Sequence, residues 1–135
     1  MLRDFNEEFD EPSPAADVVA PRIARMMSAG DAVYLLAGDG PDGFCELRFH
    51  RTIYSDERYA HLGELYVVPA MRGQGLGRAL LEAAMDLARK RGADHIDLNT
   101  SETDSAARAL YESTGFTNRE GGPDGPVMLF YERDL

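Results

Sequence analysis

The residues best placed to do chemistry lie in one stretch, Leu65-Tyr66-Val67-Val68-Pro69-Ala70-Met71-Arg72-Gly73-Gln74-Gly75-Leu76-Gly77. A strand-like apolar run leads there into a glycine-rich turn, and the turn opens a helical pattern. Glycines let a backbone approach a ligand closely, and the first N–H groups of a helix have no partner inside it. Added to the helix dipole, those groups make a site for a phosphate or pyrophosphate. Two familiar phosphate patterns do not fit. Counted from Gly73, the last glycine position of G-x-G-x-x-G holds Arg78, and counted from Gly75 it holds Leu80. No Gly-Lys-Ser/Thr follows, so this is not a P-loop either.

Other reactive side chains are sparse. His50, His61 and His95 share no metal-ligand spacing, which makes each a surface or hydrogen-bonded histidine and leaves no metal site to propose. His61 stands three residues before a strand carboxylate, Glu64. Cys45 sits in a predicted strand with no activating base nearby, so it reads as a small buried hydrophobe.

The flanks of the glycine turn carry a family likeness. Arg72-x-x-Gly75-x-Gly77, preceded by Leu65-x-Val67-x-Pro69, resembles the acetyl-coenzyme A signature of the GNAT superfamily of N-acetyltransferases. Downstream, Ala107-x-x-Leu110-Tyr111-x-x-x-Gly115-Phe116 resembles the second family block at its usual distance. The resemblance spans about residues 62 to 118. It implies an α+β fold, a mostly antiparallel sheet flanked by helices, with acetyl-CoA as acyl donor. The implied reaction is direct transfer of the acetyl group, in a ternary complex, to a primary amine on a small molecule or a protein. By the same resemblance Arg72, Gly73, Gln74, Gly75, Leu76 and Gly77 form the pyrophosphate loop. Val67 and Val68 face the acetyl and pantetheine backbone where their strand splays from its neighbour, and an N–H near Val67 polarises the thioester carbonyl. Tyr111 lies near the cofactor sulfur as proton donor.

Acetyl transfer from a thioester to an amine has three requirements. The amine must be neutral, although a lysine-like ammonium keeps its proton up to a pKa near ~10.4. The developing oxyanion needs preorganised donors, each worth ~100-fold or more in rate. The leaving thiolate needs a proton, which a positioned phenol can supply. Tyr111 meets the third by its place in the motif; the alternative is a helix tyrosine packed on the sheet. Glu64 is the candidate for the first, one residue before Leu65, where some family members carry a carboxylate that draws the amine proton through water. Alternation puts Glu64, Tyr66 and Val68 on one strand face and Leu65 and Val67 on the other; a solvent-facing Glu64 is the alternative.

The chain departs from the family pattern twice. Relatives often have Asn at the start of the second block, where this chain has Asp104. An ionised carboxylate accepts and cannot donate, so Asn99 and Ser105 become the substitute cofactor contacts. The family also opens with a strand, yet Leu2 already falls in a helical pattern. The first strand is therefore expected to be missing, leaving a sheet edge open or covered by a second subunit, and a homodimer is the favoured assembly. Two other functional classes stay open. One is a non-catalytic coenzyme A-binding sensor or interaction module on the same fold. The other is a structural interaction domain, which does not account for two motifs in register.

Positioning these groups takes a strand–turn–helix unit within a larger frame. Leu2, Phe5 and Phe9 have helical spacing, and Pro12 and Pro14 end that helix. A second helix covers Ala15 to Ala29, with Val18, Val19, Ile23, Met26 and Met27 on one stripe and Gly30 as its stop; Pro21 predicts a regular start only there. Ala32 to Gly38 and Phe44 to Ile53 form a hairpin around Asp39-Gly40-Pro41-Asp42-Gly43. After a polar turn at Ser55-Asp56-Glu57-Arg58, a third strand runs from Tyr59 to Val68 and stops at Pro69. Leu76, Leu80, Ala83, Ala84, Leu87 and Ala88 then mark one face of a long helix ended by Gly92. His95 to Leu98 is a short strand, Asp104 to Thr114 a helix, and Val127 to Glu132 a last strand. No linker or repeat divides the chain, so residues 1–135 are expected to form a single domain.

Composition narrows the function further. The chain has 135 residues, 44% hydrophobic and 28% charged, which is the composition of an ordinary globular protein. Its 24 acids against 14 bases give a net charge of −10, which argues against a nucleic-acid partner and suits a cationic one. The first seventeen residues hold six acids and one base. In the GNAT family the first two helices line the acceptor side, so Glu7, Glu8, Asp10 and Glu11 are placed to attract an amine; a solvated helix face is the alternative. A single cysteine favours a reducing, cytoplasmic compartment, and no apolar run approaches the ~18 residues of a membrane span.

Overall fold

The computed structural model describes residues 1–39, 41–51, 53 and 58–135. Along the chain come α1 (Leu2–Glu8), α2 (Ala16–Ala29), β1 (Ala32–Ala37), β2 (Gly43–Arg51) and β3 (Arg58–Val67). A 3-10 turn (Pro69–Met71) leads to α3 (Leu76–Lys90), β4 (Ala93–Leu98) and α4 (Ser105–Ser113). The predicted turn at Ser55–Glu57 lies outside the described residues. The chain divides into two compact units, residues 1–98 and 99–135.

In residues 1–98 the sheet order is β1-β2-β3-β4. The first three strands pair antiparallel and β4 pairs parallel to β3, the crossover being made by α3. Helix α3 buries Leu80, Leu81, Ala84 and Ala88. They meet a sheet face that carries the fully buried Cys45, Leu47 and Ala60. Burial pushes the Cys45 thiol up to about 11, so it stays a protonated packing group as expected. Ala83, expected on the buried stripe, is exposed and Leu81 is buried instead. Successive helix residues point about 100° apart, and the sheet touches only the arc shared by Leu80, Leu81, Ala84 and Ala88.

The opposite sheet face is covered by the N-terminal helices. Phe5 of α1 packs on Tyr66 at 5.3 Å between ring centroids, and Tyr66 in turn on Phe44 at 6.2 Å. Helix α2 lies along β1 and presents Val19, Ile23 and Met26, while Val18 and Met27 are exposed. It starts at Ala16, not at Pro21, so the proline sits inside the helix, where its ring nitrogen has no N–H to give the Asp17 carbonyl. Among the described residues no strand precedes α1, and β1 is an edge of the sheet.

In residues 99–135, Asp104 caps α4 by accepting the Ala107 N–H at 2.9 Å, and Gly115 follows with φ +95°. The last strand expected at Val127–Glu132 is reduced to an isolated bridge between Arg119 and Val127. The Glu120 and Met128 N–H groups bond to Pro126 and Asn118 carbonyls. Phe116, just upstream, gives its N–H to the Tyr111 carbonyl at 3.0 Å and closes the end of α4. No described helix is long and apolar enough to cross a membrane.

Candidate active site

The C-terminal end of β3 has open backbone on one side. The Val68 N–H donates to the Asp42 carbonyl at 2.9 Å. Bonding alternates along an antiparallel pair, so the N–H and C=O of Val67 point away from β2. Pairing with β4 stops at Leu62↔Leu98, five residues short of Val67. Strand β4 ends there, so β3 runs five residues past its last partner on that side. Of the two valines, Val67 presents its N–H outward, whereas the N–H of Val68 is already used.

Beyond the 3-10 turn the chain enters the glycine loop. Gly73 and Gly75 hold φ +72° and +85°, a left-handed conformation that side-chain-bearing residues resist. Nothing lies within 4 Å of where their Cβ atoms would be, so backbone conformation alone requires glycine there. Gly75 is the N-cap of α3, and its carbonyl takes the Ala79 N–H at 2.9 Å. The first N–H groups of a helix have no partner within it, and here those of Leu76 and Gly77 open α3. Arg72, Gly73, Gln74 and Gly75 are all exposed.

Arg72 does more than line this loop. Its Nε donates to the Val67 carbonyl at 2.9 Å, and its two terminal nitrogens grip the Glu8 carboxylate at 2.7 and 2.6 Å. The guanidinium also lies 5.6 Å from the centre of the Tyr66 ring. That fork holds the Glu8 carboxyl below the usual carboxylate range. Glu7 is likewise engaged, accepting from Arg3 at 2.7 Å. Of the four N-terminal acids expected to face an acceptor, two therefore already have cationic partners within the chain.

Glu64 stands three residues before Val67, on the face covered by the N-terminal helices. Burial, and then the neighbouring Glu46, push its carboxyl above the ordinary range, while Arg48 opposes the rise. The register pairs Glu64 directly with Glu46. Between Glu46 and Leu47 it shifts by one, leaving Gly63 as an unpaired bulge residue. Glu46 is 2% exposed; its carboxylate accepts from the Tyr34 hydroxyl at 2.6 Å and from Arg48 at 2.9 and 2.8 Å. Sequence reasoning passed over Glu46. The available signal was an acid and a base two residues apart on one face of a strand, Glu46 and Arg48.

His61 is a hydrogen-bonded histidine, its Nδ1 2.7 Å from Asp97 Oδ1 on β4. Tyr34 also lines an apolar cleft of about 230 Å³ on this face, together with Met1, Leu2, Ile23, Leu36 and Phe44. In residues 99–135, burial pushes the Tyr111 phenol up to about 12, and the Asp104 carboxylate adds to the rise. Asn99 follows β4 and is exposed, as is Ser105 at the start of α4. Asp104 spends its carboxylate on its own helix, a capping role that its position just before an apolar helical run announces.

Comparison with known proteins bears on this geometry. The sequence profile described as the acetyltransferase (GNAT) family matches residues 1–116. An uncharacterised N-acetyltransferase of Bacillus subtilis is 36% identical over 123 residues, covering 90% of this chain and 82% of the relative. A mycothiol acetyltransferase of Beutenbergia cavernae is 48% identical over 61 residues, 43% of this chain but 20% of that protein. The chain spans about a fifth of the length of the first curated relatives it matches. A crystal structure from Arthrobacter sp. FB24, assigned as an acetyltransferase, has 43% sequence identity and a TM-score of 0.90, covering 99% of this chain and 85% of that one.

Proposed function

The chain belongs to the GNAT acetyltransferase family, and from that premise we propose that residues 1–135 form one domain that moves an acetyl group from acetyl-CoA to a primary amine. The observation that carries the reading is the outward-facing backbone of Val67, which leads directly into the glycine loop at the N-terminus of α3. The residues present fit the donor. An extended backbone with a free N–H suits an amide-bearing arm, and first-turn N–H groups suit a pyrophosphate. Val67, Arg72, Gly73, Gln74, Gly75, Leu76 and Gly77 would hold it, with Val68, Asn99 and Ser105 as supporting contacts. Bound there, acetyl-CoA supplies an acetyl group activated as a thioester.

Each remaining step falls to a residue of this chain. Glu64 takes the proton of the acceptor ammonium, through water, which frees the nitrogen lone pair to attack. Its raised carboxyl pKa supports that role, because a stronger proton acceptor narrows the gap to an amine. The Val67 N–H donates to the carbonyl oxygen as negative charge builds there. Tyr111 gives its proton to sulfur as the carbon–sulfur bond breaks; burial keeps the phenol protonated at neutral pH and also makes it a weaker acid than a free phenol.

The acceptor is an amine that enters on the α1 and α2 side, with the apolar cleft beside Tyr34 receiving its carbon skeleton. Asp10 and Glu11 leave this entrance acidic, which supports a cationic acceptor. The single buried Cys45 suits a cytoplasmic location, and the edge position of β1 supports a homodimer.

The test is release of free coenzyme A thiol from acetyl-CoA in the presence of a panel of primary amines, for the wild type and Tyr111→Phe. Amine-dependent release that Tyr111→Phe slows supports the transferase. Tight acetyl-CoA binding with no release for any amine would favour a coenzyme A-binding module instead.

A further inference from the structure

Glu46 has no part in the mechanism above, yet its position is costly. Burying a carboxylate is unfavourable unless it is paired and hydrogen-bonded, and even a well-made buried ion pair adds little net stability. Both oxygens of Glu46 are satisfied, one by Tyr34 from β1 and the other by Arg48 from its own strand. That arrangement fixes a carboxylate directly across the strand pair from Glu64, and like charges placed opposite each other in a sheet are destabilising. The bulge makes the meeting possible. The extra residue, Gly63, turns Glu64 to the face of Glu46 while Leu62 stays opposite Leu47. A Cβ at position 63 would collide with Glu46 Oε2, so the bulge residue must also be glycine for the carboxylate to sit there.

Glu46, Gly63 and Glu64 are thus mutually fitted around two opposed carboxylates that the fold does not need, which marks a functional site. Glu46 itself is too deeply buried to touch an acceptor, so it must act through Glu64. We infer that Glu46 is a positioning residue of the active site: clamped by Tyr34 and Arg48, it sets a fixed carboxylate opposite Glu64 that makes Glu64 the stronger proton acceptor. This inference rests on the reading of Glu64 as the group that takes the amine proton. Facing Glu64 are Glu46 and Arg48 from β2 and Tyr34 from β1, while His61, on its own strand, is paired with Asp97 of β4. Of the two on β2, Glu46 raises the Glu64 carboxyl and Arg48 lowers it.

The opposed signs make the test. Carboxyl carbons of 13C-labelled glutamate are titrated by NMR in the wild type, Glu46→Gln, Arg48→Gln and Glu64→Gln, the last identifying the signals of the pair. The pH dependence of kcat is measured for the same four proteins. The Glu64 midpoint is expected to fall in Glu46→Gln and to rise in Arg48→Gln, and the acid limb of kcat to move with it. Should Glu46→Gln fail to fold, Glu46→Asp, which withdraws the carboxylate from Glu64 by one methylene, is expected to give a smaller fall in the same direction, and an unmoved Glu64 midpoint there would overturn the inference. A loss of kcat in Glu46→Gln with midpoint and acid limb unmoved would make Glu46 a packing residue and overturn the inference. If instead the midpoints move as expected but Glu64→Gln keeps wild-type kcat, the role of Glu64 as proton acceptor fails, and the inference falls with it for that separate reason.

Discussion

The glycine loop and the carboxylate pair sit within a few residues of each other on either side of the end of β3, and they are made of different materials. In the loop the binding groups are backbone N–H groups, and side chains enter mainly as what must be missing at Gly73 and Gly75. At Glu64 the working group is a side chain whose character comes from neighbours on β1 and β2. A backbone site is damaged by adding atoms and a side-chain site by changing a charge. The two should therefore fail in different observables, binding for the first and turnover for the second.

The strongest test of that contrast is Glu64→Gln. It should lower kcat by about 100-fold or more, the usual worth of a positioned general base, with little change in acetyl-CoA affinity. Its effect on stability should run the other way. A carboxyl raised in the folded state holds protons that the unfolded chain has released, so the wild type loses stability as pH rises from the ordinary carboxylate value through the raised one. Glu64→Gln should therefore unfold at a higher temperature than the wild type at pH 7, with the advantage shrinking as pH falls below that window.

Gly63→Ala should come next, with a loss of about 1–3 kcal/mol typical of overpacking, read from urea unfolding. The glycine loop should respond differently. Gly75→Ala forces an L-residue into the left-handed region at a cost of about 1–2 kcal/mol, which predicts an acetyl-CoA Kd raised about tenfold by calorimetry while kcat at saturation stays near wild type. If Gly75→Ala lowered kcat and spared Kd, the loop would not be the backbone site described. The smallest effect belongs to Glu8→Gln, which loosens the fork between α1 and Arg72. A partly exposed pair contributes about 1 kcal/mol or less. Because the Glu8 carboxyl is lowered by Arg72, its contribution is present above the ordinary carboxylate value and lost as pH falls through the lowered one. Thermal unfolding of Glu8→Gln and wild type should differ slightly at pH 7 and converge in acid.

The same division explains what the sequence made legible. The strand–turn–helix unit and its left-handed glycines follow from local requirements that few residue types can meet. Glu64 was readable as a candidate from its place before Leu65, but its environment was not. That depends on a one-residue bulge at Gly63, which breaks the simple alternation from which faces are inferred, and on Tyr34 and Arg48 from positions 30 and 16 residues earlier in the chain. The start of α2 at Ala16 shows that Pro21 removes one helical hydrogen bond without ending the helix, and the strand expected at Val127–Glu132 keeps a single bridge, to Arg119. Asp104 departs from the family pattern in the sequence, and its plainer role is to cap α4.

Thermal unfolding with acetyl-CoA, with coenzyme A, and with NADH as control tests the central claim most directly. A ligand at ~100 times its Kd stabilises by about 2.7 kcal/mol, a shift of several degrees for a chain of this size. Both coenzyme A forms should give that shift and NADH none. A folded sample whose unfolding temperature ignores acetyl-CoA and coenzyme A would contradict it.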